Sequence, residues 1–97
     1  MHPIICEAIK NRNVLEFTYH EYPRVVEPHA YGLSQASNEV IRCYQTGGLS
    51  HSRIVPCWQL MKVDDIEFLT VREKHFVGER IGYAKGDKRM STIFCEL

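Results

Sequence analysis

The chain predicts a mainly β fold, a small barrel preceded by one short helix. Three observations carry that expectation. Apolar and polar residues alternate in several short runs, turn-forming residues separate those runs at close spacing, and helical periodicity occurs once, at the start. Short strands in that arrangement suit a small barrel better than a doubly wound sheet. With 97 residues and 44% hydrophobic content, residues 1–97 are expected to form one domain with its own core.

The helix is expected over residues 3–12. Ile4, Ile5, Ala8 and Ile9 fall on one side at helical spacing, while Glu7, Lys10 and Arg12 lie elsewhere. Pro3 suits a first turn, and Asn11 or Asn13 can end the helix in a left-handed conformation. A helix this short must dock on something to persist.

Strands then follow across residues 14–71. In residues 14–20, Leu15, Phe17 and Tyr19 share one face, and Glu16, Thr18 and His20 the other. The stretch Glu21-Tyr22-Pro23 breaks that strand. Residues 24–33 are strand-like but carry Pro28, which places the proline at an edge or a bend. After a polar turn at 34–38, a strand puts Val40, Arg42 and Tyr44 on one face, opposite Glu39, Ile41, Cys43 and Gln45. It ends on Gly47 and Gly48, which can take positive φ and turn the chain.

A loop occupies residues 46–56. Residues 58–63 alternate again, Asp64-Asp65 reads as a turn, and residues 66–71 as a further strand. In the closing segment, 76–97, Gly78, Gly82 and Gly86 discourage a helix, and residues 90–94 read as a last strand. That strand either closes the barrel or crosses to a second subunit.

Charge and cysteine usage bound the function. Twelve basic and twelve acidic residues give zero net charge, which argues against non-specific duplex binding. No apolar run reaches the length of a membrane span, and Met1-His2-Pro3 does not resemble a signal peptide, so a cytoplasmic, soluble chain is expected. The four cysteines, Cys6, Cys43, Cys57 and Cys95, form no Cys-x-x-Cys pair and are expected to be buried free thiols.

Nothing in the sequence calls for a cofactor, a metal or an enzyme. It carries no Gly-x-Ser-x-Gly, no phosphate-binding glycine loop leading into a helix, and no His-Glu-x-x-His. His20, His29, His51 and His75 have no spacing that pairs them with a cysteine as nucleophile or metal site. A binding set is more visible: Arg24, Arg42, Tyr44, Arg53 and Trp58. Arginine grips phosphate through a planar fork of donors, and aromatic rings stack on bases. His51 and Ser52 beside Arg53 offer further donors. Core packing is the competing account for Trp58 and Tyr44, as is a solvated strand end for Arg24 and Arg53. Arg42, between two apolar residues on its face, needs an anionic or acidic partner if that face is covered.

These residues resemble the WYL domain family. The run Ala8-Ile9-Lys10-Asn11-Arg12, then Leu15-Glu16-Phe17-Thr18-Tyr19, then Arg24-Val25-Val26-Glu27-Pro28 with Tyr31-Gly32-Leu33, looks like the start of such a domain. The likeness covers roughly residues 4–70. The tripeptide that names the family would fall at Glu39-Val40-Ile41, so its Trp and Tyr are absent, and the chain resembles a stand-alone, divergent short member. The usual DNA-binding helices and C-terminal extension are expected to be missing. The resemblance implies an Sm-like, SH3-type β-barrel that senses a nucleotide or single-stranded nucleic acid in bacterial transcription regulation or phage defence. By position it implies Arg42, Tyr44 and Arg53 as the nearest pocket residues, with Tyr19 and His20 weaker candidates. The alternative expectation is an interaction module forming a homodimer or a partner complex through strand edges.

Overall fold

A computed structural model of the chain describes residues 2–51 and 53–97. It is mainly β, with one N-terminal helix, α1 (Pro3–Asn11), and an antiparallel sheet. The strands are β1 (Asn13–Tyr19), β2 (Tyr22–Ser34), β3 (Glu39–Gly48), β4 (Cys57–Lys62), β5 (Ile66–His75) and β6 (Met90–Glu96). The order β4-β3-β2-β1-β5 is open at both ends, and β6 pairs with β2 beside it.

Helix α1 forms where periodicity places it and buries Ile5, Ala8 and Ile9, whereas Ile4 points outward. Pro3 opens it, as expected. It ends on Arg12, not on an asparagine: Arg12 takes the left-handed conformation at φ 57° and its amide donates to the Ala8 and Ile9 carbonyls. The Arg12 carbonyl then accepts the Phe76 amide at 2.9 Å, so that termination is tied to the far end of the chain.

The break after β1 is a two-residue turn. His20 and Glu21 both have positive φ, at 48° and 72°, and Tyr19 pairs with Tyr22, the geometry that suits the right-handed twist of a hairpin. Pro23 therefore lies inside β2, opposite Thr18, and does not end a strand.

Strand β2 is central. Its first half pairs with β1, its second half with β6, and its whole length with β3. Pro28 is fully buried there, so it is not at an edge. It sits where the β3 register shifts between Pro28↔Cys43 and Ala30↔Arg42, a bulge at which a missing N–H is tolerated. At Gly32 an added Cβ would lie 2.0 Å from the Thr92 carbonyl oxygen, so β6 approaches β2 there as only glycine permits.

Two apolar layers result. The larger holds Ile5, Ile9, Leu15, Phe17, Val26, Tyr31, Ile41, Cys43 and Met61 between α1 and the sheet. The smaller, on the other side of β3, gathers Ala30, Val40 and Met90 with Leu60, Tyr83 and Ile93. Both faces of β3 are therefore covered, and the Val40–Arg42–Tyr44 face meets the segment 76–89.

The cysteines correct the sequence reading in part. Cys43 is a buried free thiol and Cys57 a half-buried one, but Cys6 and Cys95 form a disulfide, with Cα atoms 5.8 Å apart. Helix α1 packs against β6, and this brings residues 89 positions apart within bonding reach. Among the described residues, no helix is long and apolar enough to cross a membrane.

Candidate functional site

The segment 76–89 has no regular secondary structure and lies across one face of the sheet as a strap. Its anchors begin with β2. Glu27, 5% exposed, accepts two hydrogen bonds from the Arg80 guanidinium at 2.7 and 2.9 Å. His29, fully buried, donates from Nδ1 to the Glu27 carbonyl at 2.8 Å and accepts the Arg80 amide at Nε2 at 3.1 Å. Those two bonds specify the neutral imidazole tautomer. Burial lowers the His29 pKa, against the opposing pull of the Glu27 carbonyl and carboxylate.

Around His29 the aromatic rings close in. Trp58 meets it edge-on at 4.8 Å, and Phe76 and Tyr83 lie at 5.5 and 5.1 Å. Trp58 donates its indole N–H to the Ile81 carbonyl at 3.1 Å. Gly82, at φ +95°, lets the strap pass directly against the indole, where an added Cβ would come within 2.9 Å of Nε1. His29 is thus a packing hub for the strap and the aromatic rings.

Further along, Asp87 reaches Arg42. Arg42 Nε donates to Asp87 Oδ2 at 2.7 Å and Nη2 to Oδ1 at 3.4 Å. This supplies the acidic partner that the placement of Arg42 demands. Asp87 also caps its own turn by accepting the Arg89 amide at 2.9 Å. Burial opposes ionisation of Asp87, but the bonds from Arg42 and Arg89 outweigh it and hold the carboxyl below its ordinary pKa.

Between strap and sheet lies a cleft of about 290 Å³. Arg42 and Trp58 form its sheet side; Tyr83, Lys85, Asp87 and Lys88 form its strap side. Three cations against one carboxylate leave the lining net positive, in a chain whose total charge is zero. Lys85 and Lys88 are exposed, whereas Asp87 is largely covered. Trp58 and Tyr83 lie nearly parallel, at 25° with centroids 6.2 Å apart. Burial, with the charges of Glu96, Glu79 and Asp87, pushes the Tyr83 phenol up to about 12, so it stays neutral. Chemically, the cleft offers positive charge beside aromatic surface.

The residues singled out in the sequence separate into groups. Arg42 and Trp58 share the cleft. Tyr44 stands behind it, edge-on to Trp58 at 5.2 Å with the Arg80 guanidinium 5.0 Å over its ring. Arg24 lies elsewhere, only 3% exposed, and is neither a solvated strand end nor part of this cleft. Its guanidinium donates to Gln45 Oε1 at 3.2 Å and to the Tyr19 carbonyl at 3.0 Å, and sits 5.4 and 5.9 Å from the Tyr19 and Tyr22 ring centres. Gln45 in turn donates to the Gly47 and Leu49 carbonyls, so Arg24 fastens the turn after β3.

Tyr19 and His20 belong to the β1–β2 turn. The Tyr19 hydroxyl accepts the Lys62 amide at 3.0 Å, and His20 lies 3.0 Å from Asp65. Arg53 is exposed on the loop before β4 and does not line the cleft. His51 packs on Tyr22, and Ser52 lies outside the described residues.

Sequence reasoning missed Tyr83, Lys85, Asp87 and Lys88, which occupy a stretch without periodicity. The signal present was the need of Arg42 for an acid, combined with Gly82 and Gly86 bracketing a charged turn. Compared with protein-family models, curated proteins and solved structures, the chain matches none of them.

Proposed function

We propose that the chain is a non-enzymatic sensing module of WYL type, built on an Sm-like, SH3-type barrel plan. In this reading it binds a nucleotide or the end of a short single-stranded nucleic acid in the Arg42–Trp58 cleft and serves bacterial transcription regulation or phage defence. The observation that carries the binding reading is the surplus of positive charge on the cleft, directly beside two aromatic rings. Phosphate takes the cations and a base takes the rings. A volume of about 290 Å³ suits one nucleotide unit better than several.

Trp58 is the single tryptophan of the chain, so its emission reports on this cleft alone. Titration with mononucleotides and short oligonucleotides is expected to quench or shift that emission saturably, and Lys85→Ala with Lys88→Ala is expected to weaken the effect. Emission that stays flat across the panel removes this reading.

A second reading, self-association through a sheet edge, is favoured by β5. This end strand leaves Phe68 80% exposed and Val71 43% exposed. Phe68 also sits at φ 57° in a register shift against β1, an irregularity that hinders edge pairing. A monomer mass that does not change with concentration in light scattering removes this alternative.

A further inference from the structure

We propose that Asp87 is a built-in competitor for the ligand's anion. It occupies Arg42 as a phosphate oxygen pair would, and so restricts the cleft to ligands carrying a phosphomonoester dianion. The inference rests on the nucleotide reading above and adds to it the class of phosphate that is recognised.

The Arg42 guanidinium offers a planar fork, and Asp87 fills it with both carboxylate oxygens. The same fork accepts two oxygens of a phosphate equally well. Asp87 is carried on the strap, in a turn that opens with Gly86 at φ +71° and is flanked by the exposed cations Lys85, Lys88 and Arg89. An incoming anion therefore meets Arg42, Lys85 and Lys88 together, whereas Asp87 engages Arg42 alone among the lining cations.

Charge decides which anions succeed. A carboxylate or a phosphodiester carries one negative charge, the same as Asp87, and exchanging one for the other gains little. A phosphomonoester carries close to two charges at neutral pH and has three acceptor oxygens, enough for the Arg42 fork and a lysine at once. The cleft should then read 5′- or 3′-terminal phosphates and mononucleotides, and pass over nucleosides, cyclic nucleotides and the interior of a strand. The competing account makes Asp87 a clasp whose only effect is to hold the strap in place.

The test titrates the wild-type protein, through Trp58 emission, with AMP, GMP, CMP and UMP and with the 5′-phosphate methyl ester of each, which carries a single charge. At least one monophosphate is expected to bind ~10-fold or more tightly than its methyl ester, since the second charge and a freed oxygen are lost. Asp87→Asn and Asp87→Ser, which keep an acceptor for the Arg89 amide, are then expected to bind the same monophosphate more tightly. They should also gain measurable affinity for the ester, narrowing the ratio. Equal affinity of wild type for monoester and methyl ester overturns the proposal, as does unchanged or weaker binding in both variants; the nucleotide reading survives either result. Absence of binding in wild type and variants alike overturns both.

Discussion

Opening the Cys6–Cys95 bridge should be the most damaging mild perturbation of this chain. The bridge closes a loop spanning 89 positions, and the chain-entropy relation gives roughly 4–5 kcal/mol for a closure of that length. Removal of native bridges from small domains typically costs about 2–5 kcal/mol, so the entropic figure stands near the upper end. For a domain of this size each kcal/mol moves the melting midpoint by about 4–8 °C, which places the expected fall at roughly 16–40 °C. The assay is thermal unfolding with and without a dithiol reductant, beside a Cys6→Ser, Cys95→Ser double variant. Thiol titration of the denatured, unreduced protein should count Cys43 and Cys57 only, and all four after reduction. A midpoint that moves by less than ~3 °C on complete reduction would refute the entropic reasoning. Four reactive thiols before reduction would refute the pairing itself.

His29 sets a pH dependence. Because burial lowers its folded pKa below the ordinary 6.5, its contribution to stability is full above about pH 6.5 and is lost as pH falls through the folded value. His29→Gln should remove that share of the acid loss, read as a smaller difference in midpoint between pH 7 and pH 4.5 than in wild type. Gly82→Ala forces a Cβ onto the Trp58 indole at a left-handed position and should cost about 1–2 kcal/mol. It should also red-shift the Trp58 emission as the Ile81 bond breaks; an unchanged spectrum and midpoint would contradict the strap geometry. Arg24→Ala removes the donor to the Tyr19 carbonyl and leaves Gln45 Oε1 only the 3.4 Å bond from Gln59 Nε2, and should cost about 2–4 kcal/mol in chemical denaturation. Arg24→Lys should recover little of this, since a point charge cannot reproduce the planar fork.

Much of the fold was legible because local pattern and tertiary burial agree. Leu15, Phe17 and Tyr19 alternate in the sequence and face the core together in β1, and Ile5, Ala8 and Ile9 do the same in α1. The long β2 was harder to read. Pro23 and Pro28 look like interruptions, yet one lies near the strand start and the other at a bulge where the register against β3 shifts. The left-handed end of α1 went to Arg12 because its carbonyl meets the Phe76 amide, a partner that no local rule supplies.

The site was half legible. An arginine between Val40 and Tyr44 announces a need for negative charge, but nothing local says that Asp87, 45 positions later, meets it. The strap carries no repeat of period two or 3.6, because side-chain anchors and not a backbone ladder hold it: Arg80 on Glu27, Ile81 under Trp58, Asp87 on Arg42. Arg24 and Arg42 read alike in the sequence and differ only in what folds over them. The disulfide was invisible for a similar reason, since Cys6 and Cys95 meet through the packing of α1 on β6.

Arg42→Ala would remove a strap anchor together with the proposed binding group, so its melting midpoint should fall and it cannot serve as a clean control. Lys85 and Lys88 are exposed lining residues, and changing both to Ala should leave the fold intact. The decisive measurement is thermal unfolding of wild type and this double variant against mono-, di- and cyclic nucleotides and short oligonucleotides. A ligand that binds only the folded state raises the midpoint. A rise with mononucleotides or phosphate-ended oligonucleotides, reduced in the double variant, is the predicted result. No rise with any of them, or a rise that the double variant leaves untouched, would contradict the account.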